Sequence, residues 1–133
     1  TGTPLTRSFE LVAPGPETRI TAMRLVNAHT EAVLDWDMHT GEKYDLGGLG
    51  IPPANLTAQV FWTGATPESV VFEVDGVQVR VENVQPFTLW GDFGGNTFLG
   101  PELGFTYGTH TIAATPYSGV DATGTAGGAL SVT

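Results

Sequence analysis

Asp35 and Asp37 stand two residues apart in a run that alternates apolar and polar side chains, so on a strand both carboxylates project from one face. With Asp45, or Glu42, from the glycine-rich stretch that follows, they offer the hard oxygen ligands that calcium takes. No cofactor is expected, calcium being the one ion these carboxylates could take. The competing reading is a solvated acidic face beside Lys43, because the chain has no DxDxDG loop.

Trp90, Asp92, Phe93, Asn96 and Phe98 form a second constellation in one glycine-rich stretch. Sugar rings present apolar C–H faces, so a glycan site needs exposed aromatic planes flanked by groups that hydrogen-bond hydroxyls. Here the planes would be Trp90, Phe93 and Phe98, and the directional partners Asp92 and Asn96. Two plainer roles compete: Trp90 and Phe98 plugging the end of a β-sandwich, and Asp92 and Asn96 closing Asx turns.

Catalytic arrangements are absent from the sequence. His29, His39 and His110 are isolated, with no HxH or HExxH spacing for zinc. No GxSxG motif activates Ser8, Ser69, Ser118 or Ser131, and the chain has no cysteine to serve as a thiol nucleophile. Paired glycosidase carboxylates need a deep cleft, for which a sandwich of this length is a poor host. The expectation is a protein that is not an enzyme.

Positioning these groups falls to short strands. Residues 68–82, ESVVFEVDGVQVRVE, place apolar side chains at every second position on both sides of Asp75 and Gly76. A two-residue turn there sets Val74 opposite Val77, Phe72 opposite Val79 and Val70 opposite Val81, all on one packed face, with Glu73, Gln78 and Arg80 on the wet face. Residues 20–28 read as a strand with either Thr21, Met23 and Leu25 or Ala22, Arg24 and Val26 inward. In residues 32–38, Ala32, Leu34, Trp36 and Met38 oppose Val33, Asp35 and Asp37, which buries Trp36; Trp62, in the strand at 55–62, is expected to be buried as well. Residues 41–53 form a glycine-rich excursion, 86–90 a short strand, 91–103 a long loop, and 109–115 and 129–133 the closing strands. No segment keeps helical spacing for three turns. The expected core is Val70, Phe72, Val74, Val77, Val79, Val81, Leu56, Val60, Leu89, Ile112, Leu130 and Val132.

The 133 residues suit one β-sandwich domain at 19–133, preceded by a linker or edge strand at 1–18. Fourteen acidic against five basic residues give a net charge of −9, which excludes the basic footprint that nucleic acid needs. No apolar run is long enough for membrane insertion and no basic-then-apolar leader opens the chain, so a soluble, already processed piece, monomeric in isolation, is expected.

Residues 70–133 resemble the immunoglobulin-like and fibronectin-type-III-like modules of bacterial surface proteins and secreted glycan-active enzymes. The resemblance is carried by VVFEVDG at 70–76, ENVQPFTLWGD at 82–92 and GTHTIAATPYSGVDATGTAG at 108–127, ahead of the final LSVT. It implies an all-β, Greek-key sandwich of about seven to nine antiparallel strands. It also implies an extracellular or cell-surface accessory module whose partner is a polysaccharide or the neighbouring domains of its own polypeptide. A spacer or adhesin repeat, possible with calcium stiffening, is the alternative. Asp35, Asp37 and residues 41–53 have no counterpart in that resemblance.

Overall fold

Among the described residues these segments give nine strands: β1 (Arg19–Asn27), β2 (Val33–Asp35), β3 (Leu56–Thr63), β4 (Ser69–Val74), β5 (Val77–Glu82), β6 (Asp92–Phe93), β7 (Thr97–Phe98), β8 (Ile112–Tyr117) and β9 (Leu130–Val132). The structure, a computed structural model, describes residues 18–90 and 105–133, the backbone at 92–93 and 97–98, and the single residues Gly2, Pro4, Leu5 and Ser8. The expected linker or edge strand at 1–18 therefore lies, but for a few residues, outside the described residues.

One sheet has the order β2-β1-β3 and the other β5-β4-β8-β9, with every strand pair antiparallel. Between them lies a single large core. Met23, Leu25, Ala58 and Val60 enter it from the first sheet, and Val70, Phe72, Ile112, Ala114 and Val132 from the second. The all-β sandwich expected from the alternation is the architecture observed. Gly127 and Gly128 let the last segment pass close against Thr18 and Arg19: Ile20 N–H donates to Gly128 O at 2.9 Å and Gly128 N–H to Thr18 O at 3.0 Å, lacing the two sheets at one corner.

The central hairpin turns as expected, Asp75 and Gly76 taking φ of 52° and 81°. Its register does not hold. Val74 pairs with Val77 and Glu73 with Gln78, but a β-bulge between Phe72 and Glu73 then sets Phe72 opposite Arg80, Val71 opposite Val81 and Val70 opposite Glu82. A one-residue slip exchanges the faces of everything beyond it. Arg80 and Glu82 therefore share the side of Phe72 and Val70, where Arg80 Nε donates to the buried Glu82 carboxylate at 2.8 Å. Val81 shares a face with Val71 instead of joining the large core. Val77, at the end of an edge strand, is 64% exposed, and Val74, Val79 and Leu130 only border the core.

On β1 a bulge between Ile20 and Ala22 settles the ambiguous face: Ile20, Met23 and Leu25 point inward and Arg24 outward. Residues 86–90 give a single bridge rather than a strand, Thr88 pairing with Gln59 beside β3. That bridge drives Phe87 and Leu89 into the core at 1% and 0% exposure. The excursion at 41–53 contains a four-residue helix, α1 (Leu46–Leu49), where none was expected; Asp45 caps it by accepting from Gly48 N–H at 3.0 Å. Within the expected loop at 91–103, β6 and β7 pair as a small hairpin.

Candidate functional site

The outer face of the β2-β1-β3 sheet carries the arrangement with the most unspent binding capacity. β2 ends early because Asp35 Oδ1 accepts the backbone N–H of Asp37 at 2.9 Å, an Asx turn that interrupts the alternation. The chain regains β1 at Met38, whose N–H donates to Met23 O at 2.8 Å. Trp36, at the apex of that detour, is thrown outward and is 68% exposed, not buried as the alternation predicted. Its ring lies against Arg24, with Cζ 5.2 Å from the Trp36 ring centre and 5.3 Å from that of Phe61. Two aromatic faces thus hold one guanidinium, an attraction of about 0.5–1 kcal/mol per ring at an exposed site.

Beside the rings runs a polar row fixed by strand register. Arg24 pairs with Gln59 across β1 and β3, and Gln59 with Thr88 at the next bridge. Arg24 Nε, Gln59 Oε1, Thr88 Oγ1 and the neighbouring Thr57 Oγ1 are buried and have no hydrogen-bond partner among the described residues. Thr57 and Thr88 are fully buried. Leaving such a group unpaired costs about 1–3 kcal/mol. These four atoms lie beneath the surface; what the face offers outward is the Trp36 ring, with Phe61 exposed and Arg24 and Gln59 half-buried beside it.

A second feature is a cleft of about 540 Å³ at one end of the sandwich, between residues 38–46 and 105–110. Leu25, Met38, Leu46, Leu56, Ile112 and Val132 form its apolar floor. On its rim Tyr44 Oη lies 2.6 Å from Asp35 Oδ2 and 2.8 Å from Glu42 Oε2, so one hydroxyl proton serves two carboxylates. Burial, then the bonds to Asp35 and Glu42, push the Tyr44 phenol far above its ordinary value. Asp35 is held below its ordinary value by hydrogen bonding with Glu42 and Tyr44. Opposite, His110 meets acceptors at both nitrogens, Asp75 Oδ2 and Thr106 O, each at 2.7 Å. The Asp75 bond raises His110, and His110 in turn lowers Asp75. His39 is raised by the charge of Asp37 and by its bond to Glu42.

The sequence-expected residues are distributed differently. Trp90 is half-buried: its Nε1–H donates to Leu56 O at 3.1 Å and its ring meets Phe105 edge-on at 5.9 Å, so it seals the core. Trp62 packs edge-on against Phe87 at 5.3 Å. Asp92, Phe93 and Phe98 are placed only by the backbone of β6 and β7, and Asn96 lies outside the described residues. Of the calcium candidates, Asp35 is engaged with Tyr44, Asp37 sits 3.7 Å from His39 Nε2, and Asp45 caps α1. Among the described residues no three His, Asp or Glu side chains converge on a point where an ion would sit.

Sequence reasoning missed Arg24, Trp36, Gln59, Phe61 and Thr88 as a group. The Asp-Trp-Asp order was the available signal, since an Asx turn at Asp35 ejects the residue between the two acids. Comparison with protein-family models, with curated proteins and with solved structures finds no match for this chain.

Proposed function

We propose that this chain is a noncatalytic extracellular module that binds a carbohydrate, or positions one, on behalf of a multidomain secreted or surface protein. The supporting observation is Trp36: a tryptophan 68% exposed beside the outer sheet face, with the Arg24 guanidinium against its ring and exposed Phe61 next to it. A pyranose ring stacks on the indole while its hydroxyls approach Gln59 and the edge of Arg24. This reading places the contact surface on the outer face of β2-β1-β3 rather than at residues 90–98, because the Trp90 N–H and ring are already engaged within the fold. The immunoglobulin-like resemblance of residues 70–133 agrees with an accessory role. Among the described residues no helix is long and apolar enough to cross a membrane.

Affinity electrophoresis against plant, algal and microbial polysaccharides tests the proposal. Retardation by at least one of them, lost in Trp36→Ala with the fold intact by circular dichroism, is the expected result. A wild-type protein inert to every polysaccharide would leave the spacer or adhesin role in its place.

A further inference from the structure

Arg24 is anomalous in its electrostatics. In a chain with fourteen acidic residues, a half-buried guanidinium has no counter-ion among the described residues. Among the described residues the ion pairs are His39 with Asp37 and Glu42, Arg80 with Glu82, and His110 with Asp75. Asp35 and Asp37 flank Trp36 in sequence, yet Asp35 serves Tyr44 and the Asp37 backbone, and Asp37 faces His39. Burying a cation alone is costly, and its desolvation holds the Arg24 guanidinium below its ordinary pKa. Two rings lie against it, which restricts the guanidinium that would pair with a carboxylate.

We infer that the ligand of this face is an acidic glycan, whose carboxylate pairs with Arg24 while its ring lies on Trp36 and its hydroxyls meet Gln59. The inference rests on the carbohydrate reading above and narrows it to sugars bearing a carboxylate. The partner is complementary in two respects: a negative charge for a positive one that no described residue pairs, and a C–H face for the indole. A net charge of −9 opposes any polyanion at long range, so the pairing must act at contact distance. It is best measured at about 0.15 M salt, where charges more than about 8 Å apart are screened.

The probes are polygalacturonate, alginate and hyaluronan, each compared with its carboxyl-reduced, neutral form by titration calorimetry. Wild-type protein is expected to bind at least one acidic polymer roughly tenfold or more tightly than its reduced form. Arg24→Gln should erase the difference while leaving weak binding of both forms, and Arg24→Lys should restore part of it. Equal affinity for acidic and reduced forms overturns the acidic-glycan inference and leaves the carbohydrate reading standing. Inertness to both forms of every probe, alongside retardation by some neutral polysaccharide, likewise overturns the inference alone; inertness to all glycans overturns both. The wild-type comparison needs no variant, so it decides the matter even if Arg24→Gln fails to fold.

Discussion

Arg24 and Gln59 stand directly opposite each other on β1 and β3, yet Arg24 Nε and Gln59 Oε1 are both buried without a partner. Cross-strand neighbours with a donor and an acceptor ordinarily pair. The guanidinium lies instead against the rings of Trp36 and Phe61, and the row it begins continues to Thr88 with another orphan. Stability has been forgone along a line of adjacent residues, about 1–3 kcal/mol for each buried group left unpaired.

Thr88→Val removes a fully buried hydroxyl that bonds to nothing and keeps its shape. Urea unfolding should show stability unchanged or raised by about 1 kcal/mol. Destabilisation by that amount or more would mean the hydroxyl has a partner in solution.

Two apolar residues of the hairpin, both expected in the core, behave in opposite ways. Phe72→Ala should destabilise by about 3–5 kcal/mol, because Phe72 is completely buried in the large core. Val77→Thr, on an exposed edge position, should stay within about 0.5 kcal/mol. Comparable losses from both would mean that Val77 packs inward rather than standing exposed at the edge-strand end.

His110 and Asp75 predict a pH window. His110 is raised above its ordinary 6.5, so its contribution is full below that pH and fades as pH rises through the higher folded value. Asp75 is lowered from 3.8, so its contribution is present above that pH and is lost as pH falls through the lower folded value. The wild-type Tm should therefore exceed that of His110→Gln most between the two ordinary values, and the gap should narrow on the alkaline side. Proton NMR should place the imidazole midpoint above 6.5; a midpoint at or below it would contradict the pair.

Tyr44→Phe takes away the hydroxyl shared by Asp35 and Glu42 and leaves two carboxylates facing each other. A loss of about 1–2 kcal/mol near neutral pH is expected from urea unfolding. No loss would show that the Asp35 and Glu42 oxygens are satisfied equally well by solvent.

Much of this fold is legible in the sequence because period-two alternation reports which residues pack together. Leu56, Val60, Val70, Phe72, Leu89, Ile112 and Val132 are core residues both by pattern and in space. What alternation cannot report is a break in its own period. The bulge at Phe72 and Glu73 sends Val81 to the other face and brings Glu82 inward, and the Asx turn at Asp35 turns Trp36 from a core residue into an exposed platform. Phe87 was missed because one bridge, not a strand, carries it into the core. The candidate site is illegible for a related reason: Arg24, Gln59 and Thr88 lie far apart in sequence and become a row only through the pairing of β1, β3 and the Thr88 bridge.

The central claim is that a carbohydrate occupies the Trp36 face, and nitrogen-15 NMR titration with a retarding polysaccharide's oligomers tests it most directly. The Trp36 indole N–H and the backbone amides of Arg24, Gln59 and Phe61 should shift in a saturable way while the Trp90 indole stays in place. Shifts confined to Trp90, Tyr107 and the cleft beside His110, with Trp36 unmoved, would contradict it.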